Sequence, residues 1–268
     1  MIFRTGRAAT NTHQPYRVQR IQRGRQVILD VLAGAARRYP VHALVEFDVT
    51  VAQQRLRDRG GAVSWTGFVV ASVARAIAAH PELNARRAGR RLLVFDRVDV
   101  AATVERPVDG TLVPVVTAVR GADQKSSQII TEELRRAKTH SAPQPSSPLS
   151  GLAVLPGPVR RLLLRLAGRS PAVAAGFGPP VGVTSLGMFG AGGGWAIPIA
   201  PLTVTVTVGG VTSRPVVLDG RVVTRSMLPL TTTFDHSVVD GAPAARFTAT
   251  YRDVTESAAA LGHEESPP

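Results

Sequence analysis

A histidine closes a run of β-branched residues in Thr231-Thr232-Thr233-Phe234-Asp235-His236-Ser237-Val238-Val239-Asp240-Gly241. Histidine is the side chain whose ordinary pKa suits proton removal near neutrality. A strand end can hold such a ring rigidly against a cleft. Asp240, four residues on, can fix the loop or an arginine partner, and Gly241 permits a tight turn. The bland reading of these residues is a surface turn with an incidental histidine. A second segment, Val183-Thr184-Ser185-Leu186-Gly187-Met188-Phe189-Gly190, puts two hydroxyls at a strand end ahead of glycines. Such hydroxyls can donate to a developing oxyanion; alone, they read rather as a strand cap followed by a flexible loop. Asn84, in His80-Pro81-Glu82-Leu83-Asn84-Ala85, says by itself only that a helix has ended.

These residues must be carried by regular elements. The pattern predicts helices over 23–38, 50–58, 65–80, 123–139, 159–167 and 242–260. The third is the clearest: Ser64 is a natural N-cap, Val69, Val70, Val73, Ala76 and Ile77 form an apolar stripe, and Pro81 ends it. Strands are expected over 42–48, 92–95, 98–105, 112–118, 181–185, 203–208, 215–218, 221–224 and 230–234, with hairpin turns at Asp109-Gly110 and Asp219-Gly220. Residues 1–22 read as an arm, 140–158 as a Ser/Pro loop, and 261–268 as a flexible tail. The order of elements predicts an α/β (α+β two-layer) sandwich, a mixed sheet with helices packed on one face.

Composition narrows the chemistry. The 268 residues include no cysteine, which excludes disulfides, thiolate metal sites and a cysteine nucleophile. Net charge is +13, with lysine only at 125 and 138 and arginine elsewhere. The arginines are dispersed and accompany no nucleic-acid motif, so nucleic acid is not expected as a partner. No signal peptide and no membrane span are visible, which leads to a cytoplasmic expectation. Gly190-Ala191-Gly192-Gly193-Gly194-Trp195 lacks both the Walker Lys-Ser/Thr and the dinucleotide spacing; it reads as backbone close to a channel that Trp195 lines. The remaining histidines, at 13, 42, 80, 140 and 263, form no metal-ligand spacing, and no metal is expected.

Taken together, the segments resemble the catalytic domain of the 2-oxo acid dehydrogenase acyltransferases, the dihydrolipoamide acyltransferase family. That family shares its fold and its His-x3-Asp-Gly motif with chloramphenicol acetyltransferase. The resemblance covers about residues 20–260 and rests on "HPELNA", "PVDGTLVPVV", "VTSLGMFG" and "RPVVLDGRVVTRSMLPLTTTFDHSVVDGAPAARF". It implies a chloramphenicol-acetyltransferase-like fold over 23–260 and coenzyme A, or its acyl thioester, as substrate. It makes His236 the general base that deprotonates an incoming thiol, so activity falls as the ring takes up a proton. Thr184, 52 residues earlier, occupies the place of the family's oxyanion-stabilising serine, with Ser185 as the fallback donor. Asp240 becomes structural, paired with an arginine of the first helix, Arg25 being the candidate. The resemblance also implies a homotrimer with active sites between subunits.

Departures qualify the match. Threonine replaces serine at 184, Ser237 stands where the family has arginine after the histidine, and about 156–180 reads as an insertion containing a basic amphipathic helix. No lipoyl segment is seen, so a lipoyl group would come from a separate protein. The expected reaction is acyl transfer between a coenzyme A thioester and a thiol, amine or hydroxyl acceptor. The competing readings are a non-catalytic oligomeric scaffold, or a partner subunit of an acyltransferase or dehydrogenase complex.

Overall fold

In a computed structural model of the chain, residues 16–21, 23–108, 111–139, 154–185 and 193–262 are described. The elements run α1 (Arg23–Ala35), β1 (Pro40–Asp48), α2 (Thr50–Asp58), α3 (Trp65–Ala78), β2 (Ala85–Ala88), β3 (Arg91–Val94), β4 (Val100–Val108), β5 (Thr111–Val119), α4 (Ser127–Thr139), α5 (Gly157–Ala167), α6 (Pro171–Ala175), β6 (Val181–Ser185), β7 (Val204–Val208), β8 (Thr212–Leu218), β9 (Arg221–Asp235) and α7 (Gly241–Glu256).

The main sheet has seven strands in the order β1-β9-β7-β6-β4-β5, with β8 also on β9. β6 is parallel to both β4 and β7, and the other pairs are antiparallel. The expected mixed sheet is therefore present. Its core face carries Val181, Val183, Val204, Val206, Val208, Leu228, Leu230 and Phe234, packed in one cluster with the apolar residues of α3 and α7. Alternation puts Thr184, Thr205, Thr207, Thr231 and Thr233 on the opposite face.

α3 starts as its sequence demands: the Ser64 side chain accepts the Gly67 N–H at 3.1 Å. Gly67 is required there, because a Cβ would collide with the Thr131 hydroxyl of α4. The β8–β9 hairpin turns through Asp219 (φ 48°) and Gly220 (φ 73°), the left-handed pair that an Asp-Gly hairpin uses. The Asp109-Gly110 turn lies outside the described residues.

Several expectations shift. α1 stops at Ala35 rather than 38, and β1 starts at Pro40. The strands expected at 221–224 and 230–234 are one strand of 15 residues. The β2 strand and the short α6 helix were not foreseen. The last helix ends at Glu256, where Ala258 takes φ 55° and a short 3-10 turn follows, Ala259–Leu261. Leu261 is 8% exposed and part of the core, so packing continues into the stretch expected to be a tail.

An aromatic cluster seats α7 beside the end of β9. Phe234 meets Phe247 edge-on at 5.9 Å, Phe247 stacks on Tyr251 at 5.9 Å, and Tyr251 meets Phe47 at 5.2 Å. All four side chains are buried. Each contributes about 1.5–3 kcal/mol by leaving water. Two residues beyond Phe234 comes His236, so this packing sets where the imidazole stands.

Candidate active site

His236 sits in the turn between β9 and α7, and its side chain is 48% exposed. The backbone on both sides of it is held. Its own N–H donates to the Tyr39 carbonyl at 2.8 Å, and the Asp235 N–H donates to the Thr203 carbonyl at 2.9 Å. The Asp235 carbonyl accepts from Val238 and Val239 at 2.9 and 3.0 Å.

The strongest anchor is the Asp235 carboxylate, whose side chain is 2% exposed. Oδ2 accepts from Arg38 Nη1 at 2.7 Å. Oδ1 accepts from the Ser237 N–H at 3.0 Å and from its hydroxyl at 2.7 Å. A buried charge is tolerated only when paired and hydrogen-bonded, and three donors meet that need here. The ring is thereby flanked by two residues, Asp235 and Ser237, that are tied to one another.

Asp240 takes the N-cap position of α7 with extended backbone, φ −84° and ψ 169°. Its Oδ1 lies 3.5 Å from His236 Nδ1, and its side chain is 86% exposed. A carboxylate here complements the helix dipole. Arg25, the expected partner of Asp240, is exposed on α1, and no Arg25–Asp240 ion pair occurs among the described residues. The arginine that reaches the site is Arg38, and it pairs with Asp235. Gly241 has no positive φ, and a Cβ on it would meet nothing within 4 Å, so the tight-turn reason for glycine does not hold.

Thr184 is half-buried on β6, and Ser185 follows it on the alternate face. Register places them. Thr184 pairs with Thr207 of β7, and Thr207 with Thr231 of β9. Asp235 is four residues further along β9, so Thr184 lies about 17 Å from it in the same chain, taking ~3.4 Å per residue and ~4.8 Å per strand. His236 is beyond that. One chain does not bring the histidine and the hydroxyl together. Trp195, 39% exposed, donates from Nε1 to the Val45 carbonyl of the edge strand β1 at 3.0 Å.

Two hollows adjoin the His236 turn. A cavity of about 210 Å³ has Arg38, His42, Ile197, Ile199, Thr233 and Asp235 in its wall. A wider groove of about 590 Å³ runs along α7, bounded by Val41, Phe234, Gly241, Ala244 and Arg252. In the first, His42 Nδ1 and the Thr233 hydroxyl are 2.9 Å apart.

The sequence matches the model of the 2-oxoacid dehydrogenases acyltransferase (catalytic domain) family over residues 14–145 and 178–262. The chain belongs to that family. The interval between the two matched stretches holds α5 and α6. Among curated relatives, the dihydrolipoyllysine-residue acetyltransferase component of the acetoin cleaving system of Bacillus subtilis is 28% identical over 206 residues, covering 75% of this chain and 44% of its own length. The chain spans less than half the length of the first curated relatives it matches. Its fold is that of a probable dihydrolipoamide acetyltransferase of Listeria monocytogenes, with TM-score 0.65, 21% identity, and coverage of 97% of this chain and 99% of that one. The dihydrolipoamide acetyltransferase of Azotobacter vinelandii gives TM-score 0.65 at 24% identity over 93% and 95% of the two chains. The catalytic role of a serine, a histidine and an asparagine has been investigated in that protein.

In this acyltransferase-family domain the sequence reading missed the Arg38–Asp235–Ser237 brace. Asp-x-Ser is a local signal for a side-chain-to-backbone turn and was available. Arg38 had none, being 197 residues away in the chain. A second missed residue is Arg86, 4% exposed on β2, which donates to the carbonyls of Ala174, Gly178 and Pro179. Burial, assisted by the charge of Arg38, lowers its pKa to about 10, so it remains a cation at neutral pH. It ties α6 to the loop that enters β6. No described helix is long and apolar enough to cross a membrane.

Proposed function

We propose that this domain transfers an acyl group between a coenzyme A thioester and an acceptor thiol, the dihydrolipoyl group named in its relatives, with His236 as general base. The neutral imidazole removes the thiol proton, and the thiolate attacks the thioester carbonyl. The tetrahedral oxyanion then accepts a hydrogen bond from the Thr184 hydroxyl, and its collapse expels the other thiolate, which recovers the proton from the imidazolium.

One observation carries this reading: a half-exposed imidazole in a backbone clamped on both sides, on a turn whose neighbouring residues, Asp235 and Gly241, each line a hollow. The spacing agrees. The serine, histidine and asparagine investigated in the Azotobacter protein are 52 and 4 residues apart, as are Thr184, His236 and Asp240. Because Thr184 lies about 17 Å or more from the histidine turn of its own chain, the base of one copy works with the hydroxyl of another, within a homo-oligomer that we assign as a trimer. A lipoyl group would be supplied by a separate protein or segment.

The test is conversion of acetyl-CoA to coenzyme A with dihydrolipoamide as acceptor, with S-acetyl-dihydrolipoamide formed in equal amount, both resolved by chromatography because one thiol is consumed for each one released. His236→Ala should lower kcat by about 10²–10⁴. Equal rates for the variant and the parent would remove the enzymatic reading and leave a scaffold.

A further inference from the structure

Thr207 and Thr231 present an anomaly on the sheet face opposite the core. Thr207 is 2% exposed and Thr231 0%, and neither hydroxyl has a hydrogen-bond partner. Burying an unpaired hydroxyl is costly, and valine of nearly the same shape avoids that cost. Valine occupies Val204, Val206 and Val208 of the same β7 strand. The two threonines are also not scattered. They stand side by side in register, Thr231 against Thr207 and Thr207 against Thr184. The row therefore ends on the hydroxyl that meets the oxyanion.

We propose that Thr231 and Thr207 form a hydroxyl relay that aims the Thr184 proton at the oxyanion, making Thr207 a positioning residue of the transfer reaction. The inference rests on Thr184 being the oxyanion donor. Threonines in register on neighbouring strands, about 4.8 Å apart, are within hydrogen-bonding reach after rotation about χ1. In the relay the Thr231 hydroxyl donates to Thr207 Oγ1, and the Thr207 hydroxyl donates to Thr184 Oγ1. An oxygen that already accepts a hydrogen bond is a stronger donor of its own proton, because hydrogen bonds in a chain polarise one another. It also loses the freedom to point that proton elsewhere. No proton leaves its oxygen; the relay orients donors and transfers nothing.

Thr232 supplies the internal control. Its hydroxyl is buried and unpartnered too, but it falls between Leu230 and Phe234 in alternation and so faces the helices. An account in which these hydroxyls are only structural predicts the same outcome for Thr207→Val and Thr232→Val.

The experiment measures kcat and KM for acetyl-CoA and dihydrolipoamide, with melting temperature, in Thr184→Val, Thr207→Val, Thr231→Val, Thr232→Val and Thr207→Ser. The relay predicts a fall in kcat of about three- to tenfold in Thr207→Val, the weight of one hydrogen bond, with KM for acetyl-CoA unchanged and melting temperature unchanged or raised. Thr207→Ser restores kcat, Thr231→Val gives a smaller loss, and Thr232→Val matches the parent. A parental kcat in Thr207→Val overturns the relay, as does an equal loss in Thr207→Val and Thr232→Val. Thr184→Val separates the two levels. If it loses activity and Thr207→Val does not, the relay alone fails; if it keeps parental activity, the oxyanion role of Thr184 fails with it.

Discussion

Pairing two inactive variants tests the assignment of the site to two copies. His236→Ala removes the proposed base and Thr184→Val the proposed oxyanion donor. The register fixes the Cα of Thr184 about 17 Å from that of Asp235, with His236 one residue further. A thioester under attack spans far less: base to sulfur and hydroxyl to oxyanion are each about 3 Å. Both groups thus act on one substrate only when they come from different copies. His236→Ala alone should retain about 10⁻²–10⁻⁴ of the rate, and Thr184→Val about 10⁻²–10⁻³. Co-expression in equal amounts changes this. In a ring of copies each site draws its base from one protomer and its hydroxyl from the next, so about a quarter of sites are complete after random assembly. The co-purified mixture should recover about a quarter of the parental rate of coenzyme A formation, at least tenfold above either variant. Mixing the separately assembled variants without subunit exchange is the control and should recover nothing. A co-expressed mixture no more active than the mean of its two parents would refute the reasoning, since a site within one chain is never completed by mixing.

Other outcomes follow from individual contacts. Arg38→Ala leaves the buried Asp235 carboxylate with only its Ser237 donors, which should cost about 3 kcal/mol and lower the melting temperature by about 6–12 °C, read by calorimetry. Gly209→Ala would place a Cβ 2.5 Å from the Gly194 carbonyl oxygen and 2.8 Å from Pro229 Cγ, so urea denaturation should show a loss of about 1–3 kcal/mol; an unchanged midpoint would contradict that close approach. Burial pushes the Asp99 carboxyl up, but hydrogen bonds from Arg97 and the Gly121 N–H, with the charges of Arg97 and Arg120, outweigh it and hold the pKa below its usual value. A depressed folded pKa means the unfolded chain binds more protons as pH falls, so this contribution is present above the ordinary carboxylate range and lost on acidification through the folded value. Asp99→Asn should therefore flatten the acid limb of stability against pH.

The His236 turn was legible because its motif is local: a β-branched run, one imidazole, and a carboxylate four residues on. α3 was legible for the same reason, with its cap, stripe and terminating proline all within one segment. β9 was not read as a single strand because Ser226 and Pro229 interrupt its pattern, and only pairing shows that Pro229 sits opposite Glu46 in the ladder. β2 was hidden by composition. Its Arg86 and Arg87 read as surface, whereas Arg86 is buried by three carbonyls that come from about 90 residues away. The brace of the site was invisible for the same physical reason, since its ion pair joins residues 197 apart. The relation of Thr184 to His236 needed strand order and register as well as spacing. Threonine suits either face of a strand, so the sequence could not say which hydroxyls lie together.

The most direct measurement is an experimental structure of the assembled particle with coenzyme A bound. It should show His236 of one copy and Thr184 of its neighbour facing one cavity, with the imidazole and the hydroxyl each within about 3.5 Å of the positions that the thiol and the thioester oxygen occupy. An assembly in which the His236 turn faces open solvent, or in which no Thr184 of any copy shares its cavity, would contradict the account.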